Sequence, residues 1–298
     1  MDVKFHAAMA AIKAGDIEEL KSLIDQDPTL ATGRSSKSHP TLLQCLALDA
    51  RDVSNQVDMA KVLIEAGAEI NGPLVACASI NNVEIAAALL DSGALINGAG
   101  AWSPLEEALY WGNDDIRDFL LERGATVHNL RIAAGLGRLN VIEGFFNADG
   151  SLTHAAGEIH WPFEDPLTSN LARPVKEQLQ STIDCWSHQR RDIVNNAFLY
   201  ACLQGRIEAA RLLLQKGAEI NAIPPGFHYK GTGLHYAAVN GQRSMVEFLI
   251  EAGADANAKD QEREGSPASW AAHGGHPKLA ERLEHIAKAQ LGEKTQAG

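Results

Sequence analysis

The chain has 298 residues, of which 45% are hydrophobic, and a formal net charge of −12. This length corresponds to about two ordinary domains, and the hydrophobic fraction is enough for a sizeable core. The negative charge disfavours nucleic acid and anionic membranes, because their phosphate groups would be repelled by the average surface. We therefore expect no nucleic-acid partner and no membrane partner. The sequence also contains no apolar run of about 18 residues, so we predict no membrane-spanning helix.

The four cysteines, Cys45, Cys77, Cys185 and Cys202, show no CxxC spacing. Cys77 and Cys202 lie in the apolar runs LVACA and LYACL, which predicts buried free thiols and a reducing compartment. The first ten residues, MDVKFHAAMA, lack the charged segment and the long apolar stretch of a signal peptide. Together these features predict a cytoplasmic protein.

Five stretches along the chain have nearly the same sequence. In chain order they are LIEAGAEIN at 63–71, LLDSGALIN at 89–97, LLERGATVH at 120–128, LLLQKGAEIN at 212–221 and LIEAGADAN at 249–257. Internal repetition at a regular spacing is typical of stacked architectures, in which each unit contacts only its neighbours. A stack grows in one direction, so the repetition overrides the domain count expected from length.

Each repeated stretch closes a longer unit that contains two short helices. In the unit at 196–221, Gly205 ends the first helix, because glycine adopts a positive φ without strain. Apolar residues at helical spacing then predict a second helix that ends at Gly217. The next unit repeats the arrangement with Gly241 and Gly253. Neither helix pair can bury its apolar face alone, so we expect neighbouring units to stack.

The stretches GTGLHYAAVNG at 231–241 and VEFLIEAGADANAKD at 246–260 resemble an ankyrin repeat. The resemblance implies an all-α, ankyrin-type solenoid of about eight helix–turn–helix repeats with hairpin loops and one inserted segment. The implied units begin near residues 5, 38, 72, 101, 129, 196, 231 and 265. The expected organisation is one continuous solenoid, with N-terminal repeats at 1–154, the insertion at 155–195, and C-terminal repeats with a cap at 196–298.

The inserted segment fits no repeat. Its prolines at Pro162, Pro166 and Pro174 predict an irregular loop, and apolar residues spaced by three or four after Pro174 predict a helix. Histidines and carboxylates in and beside the segment leave a metal or acid–base cluster as an alternative to a purely structural role. They are His154, Glu158, His160, Glu164, Asp165 and His188.

The sequence contains no motif that requires catalysis. It has no P-loop, no Gly-x-Ser-x-Gly motif, no Cys–His signature, and no zinc-ligand spacing of the HExxH or CxxC type. The fragment GLGRLN at 135–140 resembles half of a dinucleotide-binding motif, but its glycines fall between two predicted repeat helices. We therefore expect no cofactor, no bound metal and no catalytic residue.

The resemblance implies binding of a protein or peptide in a concave groove formed by the first helices and the hairpin tips. The two residues before the inter-helix glycine face this groove in ankyrin-type repeats, and in the fourth unit they are Tyr110 and Trp111. Large aromatic side chains with a polar edge are favoured interface anchors. Glu106 and Glu107 lie one turn earlier, and Trp102 lies at the entry of the unit. The alternative is that Trp111 packs against the inserted segment.

In the last three units the residue before the recurring alanine is Tyr200, Tyr236 or Trp270, which predicts a ladder of aromatic rings. These rings suit the core between repeats, from which their polar edges could reach the groove. A long hairpin carries His228 and Tyr229 at its tip, where contact residues concentrate.

The predicted partner-binding site therefore combines the large side chains of the fourth unit, the ladder and the hairpin tip. Its members are Trp102, Glu106, Glu107, Tyr110, Trp111, Tyr200, His228, Tyr229, Tyr236 and Trp270. The acidic net charge favours a basic protein or peptide as partner. The alternative function is that of a small-molecule-binding protein or an enzyme, with a pocket formed where the 155–195 insertion covers the groove.

Overall fold

The structure is a computed structural model of the chain. The residues it describes are 2–35, 41–49, 52–98, 103–158, 187–225 and 230–296, with side chains to residue 292. These residues form seventeen α-helices and two short 3₁₀ helices, Val3–Phe5 and His154–Gly157, and no β-strand occurs among them. One isolated β-bridge joins Phe146 to Leu152. The predicted all-α fold class is confirmed.

The chain divides into two compact units, and within the described residues the first comprises 2–126. Its first helices, α1, α4, α6 and α8, pack on one another in sequence order, and α2, α5, α7 and α9 do the same in a second layer. A short helix, α3, follows α2. The helices are α1 His6–Ala14, α2 Ile17–Gln26, α3 Thr29–Thr32, α4 Leu42–Asp49, α5 Gln56–Glu65, α6 Asn71–Ile80, α7 Val83–Asp91, α8 Pro104–Trp111 and α9 Asp114–Glu122.

The second unit comprises, within the described residues, 127–158 and 187–296. Here α10, α12, α14 and α16 are the first helices, and each packs on the next. The helices are α10 Leu130–Leu136, α11 Leu139–Gly144, α12 Arg190–Leu203, α13 Ile207–Gln215, α14 Gly233–Val239, α15 Arg243–Glu251, α16 Pro267–His273 and α17 Pro277–Gln296. Across both units the described residues thus form eight helix pairs, as the repeat spacing predicts.

One helix begins earlier than the repeat frame indicated. The sixth unit was expected to start near residue 196, but α12 begins at Arg190, inside the predicted insertion. The additional N-terminal turn of α12 contains Ile193 and Val194, and both side chains are buried in the core of the second unit. The organisation into repeats at 1–154, an insertion at 155–195 and repeats at 196–298 in one continuous solenoid stays a prediction.

Glycines end the helices where the repeats predict. Gly205 and Gly241 close the first helices of their units with φ of 64° and 66°, and Gly217 and Gly253 follow the second helices with φ of 95° and 94°. After α13 the Gly217 N–H donates to the carbonyl of Leu214 at 3.0 Å. These left-handed residues let the chain reverse direction within a few residues.

Small side chains and polar ties hold the stacked pairs together. Alanines on the first helices of the second unit, such as Ala237 and Ala271, are fully buried and let neighbouring helices approach closely. His235 joins one repeat to the next: its Nδ1 accepts the Thr232 N–H at 3.1 Å, and its Nε2 lies 3.1 Å from the carbonyl oxygen of Gly265. Because Nδ1 accepts, the proton belongs on Nε2, which donates to that carbonyl.

The cysteines in the described residues are buried, as the sequence predicts. Cys77 and Cys202 are free thiols with no exposed surface. Burial raises the pKa of both thiols, and it raises the pKa of the buried Cys45 to about 11. Cys185 lies outside the described residues.

Candidate functional site

The fourth helix pair carries four of the predicted site residues on α8. The helix starts after Ser103, whose Oγ accepts a hydrogen bond of 3.0 Å from the backbone N–H of Glu106. In return the Ser103 N–H donates to Oε2 of Glu106 at 3.4 Å, which completes a capping box, and Pro104 occupies the first helical position. Glu106 has no exposed surface. Its carboxylate therefore stabilises the start of α8.

Glu107 and Trp111 contact each other because residues four apart lie on the same face of a helix. The Trp111 indole Nε1–H donates a hydrogen bond of 2.7 Å to Oε1 of Glu107. Glu107 is 8% exposed, whereas Trp111 is 54% exposed. The second carboxylate oxygen of Glu107, Oε2, is buried and has no hydrogen-bond partner among the described residues. The pair joins a buried carboxylate to an indole ring at the surface.

Burial raises the pKa of Glu107 to about 7, because the ionised carboxylate loses its hydration inside the protein. The hydrogen bond from Trp111 acts in the opposite direction, and the neighbouring Glu106 carboxylate adds to the increase. Within the part of the chain that the structure describes, no cationic side chain contributes to this shift. Glu107 is thus a buried acid without a counter-ion among the described residues.

The aromatic pair lies at a fixed corner of the fourth repeat. The Tyr110 and Trp111 rings meet edge to face, with centroids 5.2 Å apart and planes at 88°. Trp111 is the last residue of α8, and Gly112 ends the helix with φ of 70°. Asn113 then donates through Nδ2 to the carbonyl of Ala78 in the preceding repeat at 2.8 Å. This tie anchors the corner that presents the two rings.

The aromatic residues of the last three repeats are mainly part of the core. Tyr200 is 1% exposed and Tyr236 is 5% exposed, while Trp270 is partly buried. Tyr236 and Trp270 meet edge to face with centroids 5.2 Å apart, so two members of the predicted ladder are in contact. The polar edge of Tyr236 is used within the fold, because its hydroxyl accepts the backbone N–H of Lys230 at 3.3 Å.

Trp270 also forms a tryptophan–carboxylate pair, with Asp260. Its Nε1–H donates to Oδ2 of Asp260 at 2.9 Å, and the Gly265 N–H donates to the same oxygen at 2.8 Å. Oδ1 accepts the N–H groups of Glu262 and Arg263 at 2.8 and 2.7 Å. Burial alone would raise the pKa of Asp260, but these four hydrogen bonds outweigh it and lower the pKa to about 2. Both oxygens of this carboxylate are satisfied within the fold.

The helix pairs and their glycine turns agree with the comparison to known families. The family model for ankyrin repeats in three copies matches residues 46–131 and 175–260, which together are more than half of the chain. The chain belongs to the ankyrin repeat family. Its relatives show the same similarity over shorter stretches.

Ankyrin repeat and SOCS box protein 6 of Mus musculus is 42% identical over 78 residues, which are 26% of this chain and 18% of that protein. ARF GTPase-activating protein GIT2 of Homo sapiens is 40% identical over 83 residues, covering 28% of this chain and 10% of the relative. Palmitoyltransferase AKR1 of Lachancea kluyveri is 26% identical over 121 residues, covering 40% and 16% respectively. The matched stretch is less than a fifth of each relative, so the chain spans only a small part of their length.

The ankyrin frame places Glu107 in the same position as the aromatic ladder. Tyr200, Tyr236, Trp270 and Glu107 each precede an alanine and lie five residues before the glycine that closes the turn. Those glycines all have positive φ; they are Gly112, Gly205, Gly241 and Gly275. One repeat therefore holds a carboxylate where three others hold a ring. Aligning the units on the closing glycine would have shown from the sequence that Glu107 occupies the position of the aromatic rings. Treating Glu107 together with its neighbour Glu106 did not show this correspondence.

Some predicted site residues lie outside the described residues. They are Trp102, His228 and Tyr229, together with residues 159–186 of the insertion. The predicted helix after Pro174 and the pocket beneath the insertion therefore stay predictions.

No group of three His, Cys, Asp or Glu side chains in the described ranges is placed as it would be around a metal ion. Nor does any helix there combine the length and apolar character needed to cross a membrane. The expectations of no bound metal and of a cytoplasmic location stay predictions.

Proposed function

We propose that this ankyrin repeat chain is a non-catalytic interaction module, and that it binds a protein or peptide through the corner of α8 that carries Tyr110 and Trp111. The observation that carries the proposal is the exposure of Trp111, which leaves 54% of a large aromatic side chain at the surface. Large exposed aromatic residues held in a rigid setting are the side chains that most often dominate protein interfaces.

The setting of Trp111 supports this role. In the unbound chain the indole is held at the surface by its hydrogen bond to Glu107 and by edge-to-face contact with Tyr110, where a partner can reach it. Stacked repeats present extended binding surfaces, which agrees with a protein or peptide as ligand. The net charge of −12 favours a partner with basic character.

The proposal can be tested with the full chain and a phage-displayed library of random peptides. Peptides enriched on the chain are synthesised, and their affinities for wild type and for Trp111→Ala are measured by fluorescence anisotropy. We expect Trp111→Ala to weaken binding by at least ~30-fold, as for an interface anchor worth about 2 kcal/mol. Leu139→Ala is the matched control, because Leu139 is 38% exposed on α11, outside this corner.

A thermal melt of each variant shows that the fold is retained. If every enriched peptide binds Trp111→Ala as tightly as wild type, the α8 corner is not the binding site.

A further inference from the structure

The carboxylate of Glu107 is only half satisfied. Oε1 accepts the Trp111 indole N–H at 2.7 Å, while Oε2 is buried with no hydrogen-bond partner among the described residues. Buried polar atoms in folded proteins are almost always hydrogen-bonded, because an unmade bond leaves the cost of desolvation uncompensated. A buried carboxylate oxygen without a donor therefore calls for an explanation.

The pair formed by Trp270 and Asp260 provides an internal comparison. Asp260 lies in the loop before α16, where the N–H groups of Glu262, Arg263 and Gly265 point at its two oxygens. Glu107 lies inside α8, where the backbone N–H groups after the first turn bond to carbonyls of the same helix. The backbone of α8 therefore supplies no donor to Oε2 of Glu107, and no other described residue supplies one.

The surroundings specify what that donor should be. The described residues place no lysine, arginine or histidine against the Glu107 carboxylate, and the neighbouring Glu106 adds a second acid. Trp111, which donates to one oxygen, is 54% exposed. A carboxylate beside a partly exposed indole suits a cationic group, which forms charge-assisted hydrogen bonds with the oxygens and a cation–π contact with the ring.

We propose that Glu107 and Trp111 form a receiving site for one basic side chain, a lysine or an arginine, of the partner bound at the α8 corner. The inference rests on the proposed function and names the chemistry that the partner brings. Rotation of the Trp111 side chain breaks its hydrogen bond to Glu107 and uncovers the carboxylate. The incoming ammonium or guanidinium group donates to Oε2 and replaces the indole N–H at Oε1, while the displaced ring packs against its alkyl stem.

The first test uses small probes and does not depend on any peptide partner. Nα-acetyl-lysine amide and Nα-acetyl-arginine amide are titrated into full-length protein in which the tryptophan indole nitrogens and the glutamate side-chain carboxyls are isotopically labelled. The NMR signals of Trp111 and Glu107, assigned by Trp111→Phe and Glu107→Gln, are followed. We expect a saturable shift of both signals with the basic probes and none with Nα-acetyl-norleucine amide, which has no charge.

Glu107→Gln is the decisive variant, because glutamine keeps an acceptor for the Trp111 indole, removes the charge and replaces the second acceptor oxygen by an NH2 donor. We expect it to abolish the saturable shift. The indole signal of Trp270, whose carboxylate partner is already saturated by backbone donors, should not respond in either protein. A linear, unsaturated response of Trp111, or an equal response in Glu107→Gln, overturns the proposed site.

The second test uses the library peptides that depend on Trp111. Each lysine or arginine is replaced in turn by norleucine or citrulline, which remove the charge and keep the approximate length. We expect one replacement to weaken binding to wild type at least tenfold and to have little effect on binding to Glu107→Gln. Peptides that need Trp111 but tolerate every replacement would overturn the basic-residue inference and leave the proposed function standing. Absence of any Trp111-dependent peptide would instead count against the proposed function.

Discussion

Replacing Glu107 by glutamine should change the pH dependence of stability. Burial raises the pKa of Glu107 from its ordinary value of 4.5 to about 7. Between these two pH values the folded chain keeps the Glu107 proton, while the unfolded chain has released it. The folded state therefore binds more protons in this window, and the free energy of unfolding falls as the pH rises through it. Glutamine carries no ionisable proton, so Glu107→Gln lacks this loss.

The size of the effect follows from the two pKa values. Each pH unit between them corresponds to about 1.4 kcal/mol, so the full loss for wild type is about 3 kcal/mol above pH 8. Part of the window lies below pH 5, so between pH 5 and pH 8 the expected loss is about 2 to 3 kcal/mol. Glu107→Gln should therefore gain about 2 to 3 kcal/mol over wild type between these pH values.

The measurement is urea unfolding of both proteins at pH 5 and pH 8, with the difference between the proteins compared across pH. This double difference cancels the histidines and other groups that titrate in both chains. Stacked repeats can unfold in more than one step, and a single free energy of unfolding is then not defined. The pKa of Glu107 should therefore also be measured directly from its side-chain carboxyl NMR signal. Glu84→Gln is the control for net charge, because Glu84 is an exposed carboxylate on α7.

Two results would refute the reasoning. If the Glu107 signal titrates near 4.5, or if the advantage of Glu107→Gln is the same at pH 5 and pH 8, the carboxylate is not desolvated in the folded chain. Trp111→Phe provides a check of opposite sign, because the indole hydrogen bond lowers the pKa of Glu107. Removing that donor should move the titration of Glu107 to still higher pH.

Other expected outcomes concern the scaffold. Gly253→Val should destabilise the fold by more than ~1 kcal/mol, as shown by urea unfolding, because φ is 94° there while an added Cβ meets no atom within 4 Å, so strain in the backbone alone is measured. Asp260→Ala should cost about 2 kcal/mol in the same assay, because four donors lose their acceptor; a cost near zero would contradict the network. His235→Ala should lower the melting temperature by several degrees, since it removes the tie to the next repeat. Cys77 and Cys202 should react with a thiol reagent only after unfolding, and rapid labelling of the native protein would contradict their burial.

The repeat pattern predicted most of the fold, because in a stack each unit is determined by its own sequence and its neighbours. The glycine spacing located the turns closely: α14 and α15 occupy Gly233–Val239 and Arg243–Glu251, inside the unit predicted to begin near residue 231. The start of α12 at Arg190 was missed, because residues with no counterpart in the repeat frame were assigned to the insertion. Their burial depends on contacts with the rest of the second unit, which a repeat pattern does not contain.

The candidate binding site was predictable only in part. Large side chains before Gly112 pointed to Tyr110 and Trp111, and the helical spacing of four residues brings Glu107 under the indole. The raised pKa and the unpartnered oxygen of Glu107 could not be read from the sequence. Both result from how closely the neighbouring side chains enclose the carboxylate, and a pattern of residue types does not specify that distance.

The two tryptophan–carboxylate pairs differ in how many described donors reach the carboxylate. In both pairs an indole N–H donates to a carboxylate oxygen, at 2.7 Å in one repeat and 2.9 Å in the other. In the loop before α16, backbone N–H groups that are not used in a helix donate hydrogen bonds to the Asp260 carboxylate. These bonds stabilise its negative charge and lower its pKa. Within α8 the backbone donors are already committed to helix hydrogen bonds, and one oxygen of the acid has no donor among the described residues, while burial raises its pKa. The repeat position that elsewhere holds an aromatic ring thus holds, in α8, the carboxylate that we propose as the receiving group for a basic side chain of a partner.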